Sequence, residues 1–133
     1  MTAPPKLYLC DTNVIVRYLL GETTPQGKEA SNLFERTLSG QVKVIIMEAV
    51  FVETIFVLSK VYHVPRSELG QTMSHFLQYK GIISDAKTIW IQALNLYAKS
   101  NFHIVDCLLA ATSKQHKVNL MTFDQHLSKL TSS

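Results

Sequence analysis

Short apolar runs alternate along the chain with longer segments whose apolar residues recur at helical spacing. Lys6 to Cys10 is a short apolar run that ends in Asp11, and it predicts a first strand. Asn13 to Leu20 then predicts a buried helix closed by Gly21. Thr24-Pro25 reads as an N-cap followed by Pro at the first helical position, opening a helix that runs to Ser39 and stops at Gly40. Val42 to Ile46 is β-branched and predicts a second strand, while Ala49 to Val61 is too long for one and predicts a helix apolar nearly all round. A helix opened by Pro65 carries Leu69, Met73, Phe76 and Leu77 on one face. Ile82-Ile83 is a short candidate strand, and Asp85 is placed to cap a helix reaching about Lys99. Asp106 to His116 predicts a helix with a stripe of Leu109, Ala110 and Ser113. Val118 to Met121 then predicts a strand, Thr122 to Asp124 a turn, and Gln125 to Leu130 a last helix.

Strands that alternate with helices imply a parallel sheet, and in such sheets function gathers beyond the carboxyl ends of the strands. The 133 residues fit one domain, spanning 1–133, with no repeat or linker. Hydrophobic residues make up 47% and charged residues 17%, which excludes a disordered or collagenous chain. Two cysteines, Cys10 and Cys107, exclude a disulfide scaffold and a CxxC zinc site; adjacent to site acids, they are expected to be buried and inert. The longest apolar stretch, Val44 to Leu58, contains Glu48 and Glu53 and is too short and too charged to span a bilayer. The opening residues have no apolar core of a signal peptide, so a cytoplasmic location is expected.

The strand ends draw attention to acids. Asp11 follows the first strand directly, and Asp124 follows the last predicted strand by three residues, on the same rim of a parallel sheet. Asp106 opens a predicted helix. Glu53 sits in a mid-helix apolar run without Lys or Arg at i±3 or i±4, where burial is costly unless the carboxylate is paired, protonated or on a metal. Each acid also has a structural reading. Asp11 and Asp106 can serve as caps, Asp124 can sit in a surface turn, and Glu53 can pair with a distant cation. Five residues turn a helix by about 500°, so Glu48 is not expected to share a face with Glu53, and it reads as first-turn compensation of the helix dipole. Acids gathered at one pole repel one another, and an oxygen-liking divalent cation removes that cost.

Leu-Cys-Asp11-Thr12-Asn13, Glu53-Thr-Ile-Phe-Val-Leu, Val-Asp106-Cys-Leu-Leu-Ala-Ala and Thr122-Phe-Asp124 together resemble the PIN domain, and within it the ribonuclease toxins of the virulence-associated protein C type. The resemblance covers nearly the whole chain in the right order. It implies an α/β fold, a three-layer α/β/α sandwich with a central parallel sheet. It implies an endoribonuclease dependent on Mg²⁺ or Mn²⁺ that hydrolyses phosphodiesters with an activated water. Asp11, Glu53, Asp106 and Asp124 match the acidic quartet of catalysis and metal binding, with Asp11 and Asp106 as principal ligands. Thr12 and Asn13 match the polar pair after the first acid, and Thr122 the hydroxyl residue before the last. The resemblance further implies an RNA substrate, a homodimer, and a small cognate antitoxin that lays an apolar segment in a groove and inserts a basic residue near the acids. Ile55 to Leu58 is a candidate for such a surface as well as for core.

With those four acids set aside, 13 basic residues face the remaining six acids, a balance suited to phosphate backbones. Candidate contacts are Arg17, Lys43, Lys60, Arg66, Lys80 and Lys114. Competing readings are a phosphotransferase using Asp11 as nucleophile, a PIN nuclease of RNA maturation, and a non-catalytic binding module. The first wants an Asp where this chain has Asn13.

Overall fold

The computed structural model describes residues 4–131. Among these residues three strands, β1 (Lys6–Leu9), β2 (Val42–Ile45) and β3 (Ile82–Ile83), form a parallel sheet in the order β1-β2-β3. Tyr8 pairs with Val44, which pairs with Ile82; Leu9, Ile45 and Ile83 follow in register. Seven helices accompany them: α1 (Thr12–Leu19), α2 (Pro25–Leu38), α3 (Glu48–Lys60), α4 (Arg66–Leu77), α5 (Lys87–Lys99), α6 (Ile104–His116) and α7 (Gln125–Thr131). The parallel α/β architecture is the one expected.

Local signals act as anticipated at several ends. Thr24 accepts a hydrogen bond from Gly27 N at 3.1 Å and caps α2, with Pro25 at its first position. Gly21 (φ +67°) and Gly40 (φ +83°) follow α1 and α2 in the left-handed conformation that glycine adopts without strain. Burial of Phe51, Ile55 and Leu58 from α3, Ile15 and Val16 from α1, and Cys107, Leu108 and Ala111 from α6 joins these helices in a hydrophobic core. α3, which carries Glu53, packs against both α1, which follows Asp11, and α6, which carries Asp106. The sheet residues Val42 and Val44 are buried, whereas Leu7, Leu9 and Lys43 on the opposite face are exposed.

Three boundaries differ from expectation. Val118 to Met121 is not a strand, and β1 pairs only with β2 among the described residues. The backbone of Val118 is already committed: its N–H donates to Ser113 O at 3.1 Å and its carbonyl accepts from Ser113 Oγ. With Lys117 left-handed (φ 55°, ψ 44°), this closes α6 in a Schellman arrangement, which removes the strand's first ladder groups. Asp85 caps nothing; α5 begins at Lys87, and the Ser84 hydroxyl accepts from Ala86 N instead. α6 begins at Ile104, so Asp106 is its third residue rather than its start. In the same helix Leu109 is exposed, and the buried stripe runs through Cys107, Ala110, Ala111 and Ser113.

Candidate active site

The carboxyl end of β1 delivers Asp11 to the N-cap position of α1, with extended backbone (φ −82°, ψ 153°). An Asp there ordinarily accepts from the N–H groups of the first turn. Asp11 does not: its side chain makes no cap hydrogen bond and is exposed. Thr12 is buried beneath it, and Asn13 is exposed beside it. Asp106 is half-buried in the first turn of α6, where the helix dipole favours an anion. Its neighbour Cys107 is fully buried.

Glu53 lies in the middle of α3 and is exposed, so it bears none of the burial cost that its apolar surroundings implied. It lines a shallow groove of about 570 Å³ with Glu48, Ala49, Val52 and Phe56. Contrary to the angular expectation, Glu48 and Glu53 border the same groove, because it follows a stripe wide enough for the two carboxylates to flank it. Glu48 also accepts from Trp90 Nε1 at 3.1 Å, a role that the sequence did not disclose. Ile55 and Leu58 are core, whereas Phe56 is 58% exposed.

Asp124 is used differently. Its Oδ1 accepts from Leu127 N at 3.1 Å, capping α7, and its own N–H donates to Thr122 Oγ1 at 3.1 Å. With no strand before it, its expected place on the sheet rim no longer follows from topology. Among the described residues, no hydrogen bond or ion pair engages the carboxylates of Asp11, Glu53 or Asp106, and no three His, Cys, Asp or Glu side chains are grouped to cage a cation.

A family model, PIN domain, matches residues 8–132. The chain belongs to the PIN domain family. A protein of Aquifex aeolicus (strain VF5) named VapC ribonuclease is 24% identical over 123 residues, covering 92% of this chain and 90% of that protein.

Within this PIN domain the cations divide into two kinds. Arg66 is structural: Nε donates to Tyr97 O at 3.0 Å, Nη2 donates to Phe102 O, and the guanidinium lies 3.8 Å from the centre of the Tyr97 ring. Arg17 pairs with Glu22 at 2.9 Å. Lys43, Lys60, Lys80 and Lys114 remain exposed on the surface. Burial pushes the thiols of Cys10 and Cys107 up to about 11, so neither is a nucleophile at neutral pH. No helix among the described residues is long and apolar enough to cross a membrane.

Proposed function

We propose that this PIN domain is a metal-dependent endoribonuclease that hydrolyses RNA phosphodiester bonds, acting as the toxin of a toxin–antitoxin pair. The observation that carries the reading is Asp11, an exposed carboxylate at the end of a parallel strand, in a capping position where it caps nothing. Family membership and the relative named VapC ribonuclease support it.

The donor chemistry fits Mg²⁺ or Mn²⁺: carboxylate oxygens, solvent-accessible and unclaimed by Lys or Arg. A site built from one or two carboxylates with retained waters suits Mg²⁺ and needs no cage of three protein ligands. Asp11 and Asp106 are its proposed holders, with Glu53 and Asp124 assisting. When bound, such an ion makes a water nucleophilic and offsets charge developing on the phosphate. Glu53, unpaired on α3, is the proposed acceptor for the proton of the attacking water. Thr12 and Asn13, the polar pair that follows Asp11, are proposed to support it, and Thr122 Oγ1 accepts from the backbone N–H of Asp124.

The α3 groove is the proposed seat of the antitoxin. Val52 and Phe56 offer apolar surface, and Glu48 and Glu53 flank it with the charge that receives a basic residue. A homodimer in the cytoplasm completes the proposal.

Purified protein, given a panel of structured and single-stranded RNAs with Mg²⁺, Mn²⁺ or EDTA, tests the reading beside Asp11→Asn. Metal-dependent cleavage lost in the variant supports it; full activity in Asp11→Asn sinks it. A small gene directly upstream favours the toxin over a role in RNA maturation.

A further inference from the structure

Phe123 is 93% exposed and Met121 79% exposed, the two most exposed large apolar side chains of the described residues. Both lie on the extended stretch after α6, where exposure alternates: Leu120 and Thr122 turn inward, Met121 and Phe123 outward. The ring is held out by a pinned turn. Thr122 Oγ1 and Asp124 N are bonded on either side of it, Asp124 Oδ1 takes Leu127 N, and Leu127 is 1% exposed in the core.

We propose that Phe123, with Met121 beside it, is a stacking platform for an unpaired base of the RNA substrate. It would therefore be a specificity-determining residue one position from Asp124. The proposal rests on the nuclease reading above. A flat ring presented to water stacks on any base, and stacking of this kind holds single strands rather than duplexes, whose bases are already stacked. The surroundings fit a polyanion: residues 114–129 hold three lysines and two histidines against one acid, Asp124. The same charge disfavours a second copy of this chain, because two such segments brought together repel. Polar Asn119, Thr122 and Asp124 also interrupt the apolar surface that a protein partner would need.

The test uses Phe123→Trp in EDTA. Trp90 is the chain's one native tryptophan and is 2% exposed, so it supplies a constant background. Short single-stranded oligoadenylate is expected to quench the new indole, while polyphosphate and duplex RNA leave it unchanged. Phe123→Ala is expected to bind the same oligonucleotide roughly 5- to 150-fold more weakly, with Phe123→Tyr close to the parent and all three variants melting as the wild type does. An unquenched indole, or an Ala variant of unchanged affinity, overturns the platform; if the wild type still cleaves RNA with metal, the nuclease reading survives alone. Absence of cleavage by the wild type overturns that reading and the substrate role of Phe123 with it. A fall in oligomeric mass in Phe123→Ala, with RNA affinity intact, would make the ring an interface between copies and overturn the platform too.

Discussion

Trp90 Nε1 donates a hydrogen bond to Glu48 Oε1 at 3.1 Å, joining the first turn of α5 to the first turn of α3. The same indole stacks on Phe51, with ring centres 4.4 Å apart and planes 10° from parallel. One side chain thereby sets the start of the helix that carries Glu53. Glu48→Gln keeps an acceptor and is expected to cost less than about 1 kcal/mol, whereas Trp90→Phe loses the bond and some packing and is expected to cost about 1–2 kcal/mol. Urea unfolding midpoints of the two variants check the order.

Asp11 and Asp124 occupy comparable helix-start positions but respond differently to substitution. Asp11→Asn is expected to shift stability by no more than about 0.5 kcal/mol, because no cap bond is lost, while lowering cleavage by at least about 10²-fold. Thermal melts and RNA cleavage on one preparation read both effects.

Asp124→Ala is expected to cost about 1 kcal/mol through loss of the α7 cap, and Asp124→Asn much less, since Asn also caps. If the carboxylate serves the reaction, both variants lose cleavage; if it only caps, Asp124→Asn keeps it.

Arg66 is excluded from the RNA surface by its bonds to Tyr97 O and Phe102 O. Arg66→Ala is expected to destabilise by roughly 2–3 kcal/mol and to leave the salt dependence of RNA binding unchanged. Lys114→Ala is expected to do the reverse if that lysine meets a phosphate. Arg66→Lys is expected to recover little of that stability, because an ammonium lacks the planar fork that reaches both carbonyls while lying on the ring.

The two buried thiols make stability sensitive to alkali. Their pKa values are raised to about 11 in the folded protein, so the folded state holds these protons above the pH at which the unfolded chain releases them. Stability from this source is complete below about pH 8.5, falls as pH rises to about 11, and amounts to about 3 kcal/mol per thiol at most. Melting temperature against pH checks it: Cys107→Ala should flatten the alkaline decline, and neither thiol should react with iodoacetamide at pH 7 until the protein unfolds.

Sequence reading reached the elements whose ends are set locally. Thr24-Pro25, Gly21 and Gly40 act through their own backbone geometry, and their effects need no distant partner. The acids were legible as residues, since Asp11 at a strand end and Glu53 in an apolar helix stand out by contrast with their neighbours. Their uses were less legible. Arg66 looked like a surface cation until two carbonyls and a ring some thirty residues away claimed it. Phe123 stands in the sequence only as the middle residue of Thr122-Phe-Asp124, and nothing in one sequence says which apolar side chains the body leaves uncovered.

Periodicity and caps were enough to predict a parallel α/β fold, because these depend on contacts within a few residues of one another, and the resemblance carried by the acidic motifs added that it is of the PIN kind. That Val118 closes α6 instead of opening a strand, and that Asp124 caps while Asp11 does not, is settled among residues within five positions of one another; tertiary structure alone decided that Glu48 meets Trp90 and that Arg66 meets Tyr97 and Phe102. Those last bonds join residues 31 to 42 positions apart, and only the folded chain brings such donors and acceptors within reach of one another.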